Sequence, residues 1–115
     1  MNPRQAENAV ILRRQAFVDR FYPQVIKEID RLQAEAMSFP LKVTFASLRE
    51  KLSIPPNESG FFDYLLYQKI APYYDHQDWL VVREGAGRDE ETAFVFKLNP
   101  KFTLTQGAGG KWMLV

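Results

Sequence analysis

His76 is the one histidine of the chain, and it stands in the run Asp75-His76-Gln77-Asp78. An imidazole beside carboxylates can serve as a general base where a nucleophile or a substrate pocket meets it in space. No motif here supplies that partner, and His and Asp are also ordinary residues at a helix exit, so an enzyme centred on His76 ranks last and a non-enzymatic protein is expected. The absence of cysteine removes disulfides, thiolate zinc sites and cysteine nucleophiles together. Asp89-Glu90-Glu91 lacks the spaced ligands and turn glycine of a calcium loop and reads as a solvated hairpin tip. Gly85-Ala86-Gly87 and Gly107-Ala108-Gly109-Gly110 lack the phosphate-loop lysine and the strand-to-helix setting of a nucleotide fingerprint, so both read as turns. No metal and no cofactor is expected.

Binding chemistry is better represented. The 115 residues suit one domain, and 46% hydrophobic with 14% aromatic residues can fill a core. Charges nearly balance at net +1, which is not the signature of a strong non-specific nucleic-acid binder, so any DNA contact must come from local patches. The nucleic-acid-binding candidates are Lys42, Arg49, Lys51, Gln68, Lys69 and Arg88; of these Lys42, Arg49 and Lys51, with Arg13, Arg14, Lys101 and Lys111, could build a patch outside the stretch 60–99. Tyr64, Tyr67 and Trp112 are the protein-interaction candidates, because a large apolar ring with a polar edge suits an interface. For the tyrosines this comes second to covering the underside of the tail or the N-terminal arm, and stacking on unpaired bases comes third, since it usually needs a basic groove. The opening residues carry no apolar signal segment, and no apolar run is long enough to span a bilayer; a cytoplasmic protein without a membrane partner is expected.

The elements that must position these residues follow from periodicity. From Arg4 to Met37, Val10, Phe17, Phe21, Val25, Ile29, Leu32 and Ala36 recur at helical spacing, with Val18, Tyr22 and Ile26 widening the stripe. Pro23 deprives the Asp19 carbonyl of its helical donor, so a break there is favoured over a kink. This gives an arm over 1–22, whose Val10, Phe17 and Phe21 fold back on the domain or pair with a second chain; a homodimer through this helix is expected. Thr44 is an N-cap for a short helix from Phe45 to Leu52, with Phe45, Leu48 and Leu52 on one face. Pro55-Pro56-Asn57 makes a turn, Ser59 caps the next helix from Phe61 to Ala71, and Pro72 ends it. Phe62, Leu65, Leu66 and Ile70 share its inner side; Asp63, Tyr64, Tyr67, Gln68 and Ala71 point outward.

Alternation then predicts strands. Trp79, Val81 and Arg83 share one face of the first, and Phe94, Phe96 and Leu98 one face of the second, with the Gly85–Glu91 loop between them. Two β-prone pieces, Phe102 to Thr105 and Trp112 to Val115, form a tail over 100–115 that should dock on this chain or another.

Helix, turn, helix, hairpin is an order that resembles the winged-helix superfamily over roughly Pro23 to Leu98. The resemblance implies an α+β fold, a winged helix-turn-helix over 23–99 with an extra N-terminal helix and a β-hairpin wing. It also implies a regulatory or scaffolding role in nucleic-acid transactions more often than catalysis. In such a fold the outer face of the second turn-motif helix should carry Arg, Lys, Asn or Gln. Here Lys69 is set against Asp63 and Asp75 over 60–77, net minus one. Arg83, Arg88 and Lys97 are set against Asp78, Glu84, Asp89, Glu90 and Glu91 over 78–99, net minus two. Phosphate neutralisation supplies much of DNA affinity, so these sums disfavour the simplest pose. A DNA-associated regulator or accessory factor is the first reading; a protein-binding adaptor or inhibitor of the same fold, using Tyr64, Tyr67 and the acidic wing against a basic partner, is the second.

Overall fold

In the computed structural model the described residues are 1–85, 91–98, 104–106 and 112–114. The chain is α+β. A long helix, α1 (Pro3–Glu35), opens it, capped by an Asn2 side chain that accepts from the Gln5 amide while Gln5 returns the bond to the Asn2 amide. The expected break at Pro23 is absent: α1 runs through it as 33 helical residues. Burial of Phe17, Val18, Phe21, Val25 and Ile29 on both sides of the proline holds the helix together, and packing of an apolar face is what stabilises most helices in proteins. The Gln24 side chain also donates to the Arg20 carbonyl at 3.2 Å, adding a bond in the turn that the proline weakens.

After the Phe39-Pro40 turn, strand β1 (Leu41–Thr44) leads into helix α2 (Phe45–Lys51). Thr44 is its N-cap as predicted, the hydroxyl accepting from the Ser47 amide at 3.2 Å. The helix ends before the prolines. Ser53 takes a positive φ, and the amides of Ser53 and Ile54 return to the carbonyls of Glu50 and Arg49, satisfying two groups that a helix end leaves unpaired.

A short 3-10 turn (Pro56–Glu58) feeds directly into the next helix, so Ser59 is inside the helix rather than its cap, and no side chain caps this end. The helix also outruns its expected end. It is helical from 59 to 75 as α3 (Ser59–Leu65), a π-helical turn (Leu66–Ile70) and α4 (Ala71–Asp75). Pro72 cannot donate, and the wider turn just before it places the proline in the first turn of α4, where the missing donor is least costly. The extra residue also keeps the apolar face in phase, so that Ile70 and Tyr74 are both buried.

Strands β2 (Trp79–Glu84) and β3 (Ala93–Leu98) form the hairpin, and the sheet order is β1-β3-β2, antiparallel throughout. Its inner face sets Val43, Phe94 and Phe96 against Val25 and Ile29 of α1, Phe45 and Leu48 of α2, and Phe62, Leu65, Leu66, Ile70 and Tyr74 of the third helix in one core. Leu98, expected on that face, is 55% exposed, because it lies at the end of β3 beyond the helices. The hairpin closes through Gly85, at φ +72, where a Cβ would collide with the Glu91 carbonyl; a side chain is also disfavoured at this φ. Thr92 Oγ1 donates to the Gly85 carbonyl at 3.0 Å, and the Thr92 carbonyl accepts from the Phe45 amide at 2.9 Å, tying the start of β3 to the start of α2. The tail pieces pair as antiparallel β4 (Leu104–Gln106) and β5 (Trp112–Leu114). The loop tip with Arg88 and the docking of the tail lie outside the described residues.

Tyr74 brings a polar group into this core. Its hydroxyl donates to Asp30 Oδ1 at 2.7 Å, with the Ile26 carbonyl 3.2 Å away, so the phenol fastens the third helix to α1. Burial first, then the bond to Asp30, push its pKa well above the usual 10.0. A group held protonated in the fold contributes stability that is complete below the unfolded pKa and is lost as pH rises above it. Stability should therefore fall above about pH 10 by about 1.4 kcal/mol per pH unit for this group. Denaturant unfolding at pH 9 and above should show a flatter decline in Tyr74→Phe, at a cost of about 1 kcal/mol near neutrality.

Candidate nucleic-acid interface

The helical spacing that buries Phe62, Leu65 and Ile70 turns Gly60, Tyr64, Gln68, Ala71 and Asp75 outward. Gly60, Gln68, Lys69 and Asp75 are exposed; Tyr64, Tyr67 and Ala71 are half-buried. Tyr67 forms the edge of this strip nearest the sheet, its ring 5.3 Å from Phe45 and 5.9 Å from Phe94. Burial is the main reason its phenol is harder to ionise than usual, with Arg83 opposing and Asp63 adding to the shift.

Tyr64 forms the other edge, toward α1. The Arg14 guanidinium lies 4.1 Å from its ring centroid, and Arg83 from β2 lies 4.3 Å from that of Tyr67. Both are cation–π contacts, which hold a guanidinium in place without neutralising it. Among the described residues neither Arg14 nor Arg83 is in an ion pair. The fold thus adds a cation at each edge of a strip that carries little positive charge of its own. Charge sums taken along the sequence miss Arg14, which lies 50 positions before Tyr64. Arg83 was visible in part, since alternation puts it on the face of Trp79 and Val81, which is the face toward the helices.

The other basic candidates do not gather on this strip. Lys42 is on the outer face of the sheet, 3.7 Å from Glu84. Lys51 stands near Glu28 of α1, whose carboxyl is held below the ordinary range first by its hydrogen bonds from Arg31 and to a lesser degree by the charges of Arg31 and Lys51. Arg49 lines a cleft of about 370 Å³ with Glu50, Ile54 and Asp63, on the α2 side of the third helix. Alternation and helix periodicity place these cations outside the core but do not say which acid each one meets. Gln68 is on the flanked strip, and Lys69 is exposed next to it. Arg88 lies outside the described residues, and Trp112 is described only as a residue of β5.

Tyr64 and Tyr67 are half covered by arginines and by the core, so they close the domain surface rather than stand free of it. Exposed apolar surface is found elsewhere, on the first turns of α1, where Val10 is 40%, Ile11 43% and Leu12 71% exposed. Phe17 and Phe21 of the expected arm are in the core, but Val10 is not covered by the domain because the helix has passed beyond it. His76 is exposed at the end of α4. No group of His, Asp and Glu that could hold a metal ion occurs among the described residues, and no described helix is long and apolar enough to cross a membrane. No protein-family model, curated protein or solved structure matches the chain.

Proposed function

We propose that the protein is a small non-enzymatic winged-helix protein of the cytoplasm that acts as a DNA-associated regulator or accessory factor. The element order and the β1-β3-β2 sheet support the winged-helix reading. The observation that carries the DNA reading is the placement of Arg14 and Arg83 at the two edges, Tyr64 and Tyr67, of the strip that exposes Gln68. Gln68 offers an amide that can pair bidentately with adenine, and the flanking guanidiniums suit phosphates on either side of a groove. Asp75, exposed at the end of the strip, opposes phosphate and marks where the contact should stop.

The expected result is duplex binding whose strength falls with salt. In a fluorescence-anisotropy titration the slope of log affinity against log salt should be about −2 or steeper, since each neutralised phosphate contributes about −0.9. A duplex that fails to bind even at low salt would remove this reading. The second reading, a protein-binding adaptor, is favoured by Val10, Ile11 and Leu12 rather than by the tyrosines, and that part of α1 is where a second copy of the chain would pair.

A further inference from the structure

A second pair of arginines lies around a cleft of about 470 Å³ between α1 and the turn that opens α3. Phe17 and Phe21 form its buried floor, and Phe61, half-buried, presents a ring 5.9 Å from that of Phe17. Arg13 and Arg20 stand on the α1 side, both exposed, with Arg20 held 4.9 Å from the Phe21 ring centroid. Seven residues apart, they share a helix face at roughly 10 Å of axial separation, which two arginine side chains can span to meet one phosphate. Neither is in an ion pair among the described residues. Across the cleft are Asn57 and Glu58.

These groups ask for a ligand with several chemistries at once. A bare inorganic anion would use the arginines but meet the Glu58 carboxylate. A hydrocarbon would use the floor and leave four polar side chains unanswered. A nucleotide satisfies each part: its phosphate suits the guanidiniums, its base can stack on Phe61, and its amino or hydroxyl groups can donate to Glu58 and pair with the Asn57 amide. We propose that this cleft binds one nucleotide unit, with the phosphate between Arg13 and Arg20 and the base against Phe61. Bases of a duplex are stacked and paired, so the unit is a free nucleotide or an unpaired nucleotide of a single strand. The site does not rest on duplex recognition by the strip at Tyr64 and Gln68.

Calorimetric titration of the full chain with adenosine monophosphate, adenosine, inorganic phosphate and a short oligodeoxyadenylate single strand tests it. The monophosphate or the strand should bind at least about tenfold more tightly than adenosine or phosphate alone. Tight binding of the monophosphate identifies a free nucleotide as sufficient; binding of the strand alone assigns the site to unpaired nucleic acid. Arg13→Ala combined with Arg20→Ala should weaken that binding by about tenfold or more, and Phe61→Leu, which keeps apolar bulk but not the aromatic face, by about fivefold or more. The arginines are exposed, so their replacement leaves the fold in place even if Phe61→Leu does not. Absence of binding by both the monophosphate and the strand, affinity no better than that of phosphate, or affinity unchanged in the double arginine variant would overturn the proposal. Duplex titration of the same proteins keeps the two readings apart, because the double variant should retain the duplex contacts of Arg14 and Arg83.

Discussion

Phe96→Ala should lower the stability of the domain by about 3–5 kcal/mol, the cost of truncating a large aromatic side chain in a core. Phe96 lies on the inner face of the central strand, opposite Leu41 on one neighbour and Val81 on the other, and is fully buried. Its ring meets Tyr74 at 5.2 Å, Trp79 at 6.0 Å and Phe94 at 6.3 Å, mostly edge to face, so the cavity would open where the last helix, the hairpin and the sheet join. Native domains hold only about 5–15 kcal/mol in total, and this one change would remove a large part of it. Phe96→Leu, closer in volume, should cost less, about 1–2 kcal/mol. Urea unfolding followed by circular dichroism measures both; a loss under about 1 kcal/mol for Phe96→Ala would mean that the core is organised differently around β3.

Arg14→Glu with Arg83→Glu should weaken duplex DNA binding by about 100-fold at low salt and reduce the salt slope by about 2, because each reversal removes one phosphate contact and adds a repulsion. Arg83 is exposed and Arg14 half-buried over a tyrosine, so the double variant should stay folded, with a loss of about 1–2 kcal/mol from the two cation–π contacts. Lys42→Glu is the matched comparison. That lysine already faces Glu84 on the outer side of the sheet, and its reversal should leave duplex affinity within about twofold, the scale of one long-range screened charge. Equal losses from Lys42 and from the arginine pair would point to net charge alone, not to the flanked strip.

Local signals account for most of what the sequence disclosed. The Thr44 cap, the Phe45–Leu48 face and the alternation from Trp79 to Glu84 each depend on neighbours a few residues away, and each is found where periodicity placed it. The two prolines mislead for a common reason. Pro23 and Pro72 carry a local cost that the packing of Val25 and Ile29, and of Ile70 and Tyr74, outweighs, and packing partners from distant segments leave no mark at the proline itself. The site was harder still to see. Tyr64, Tyr67 and Gln68 were legible as an outward face, but the cations that frame it come from α1 and β2, and the acids beside Lys42 and Lys51 come from β2 and α1. A charge sum over consecutive residues cannot contain such pairings.

We propose that duplex DNA meets the outward strip of the third helix between Arg14 and Arg83. Backbone amide chemical-shift mapping of the full chain during titration with duplex DNA at low salt tests it most directly. The largest shifts should fall on Tyr64, Gln68 and Ala71, with flanking changes at Arg14 and Arg83. Shifts confined to the first turns of α1 or to the outer face of the sheet, or no shifts at all, would contradict it.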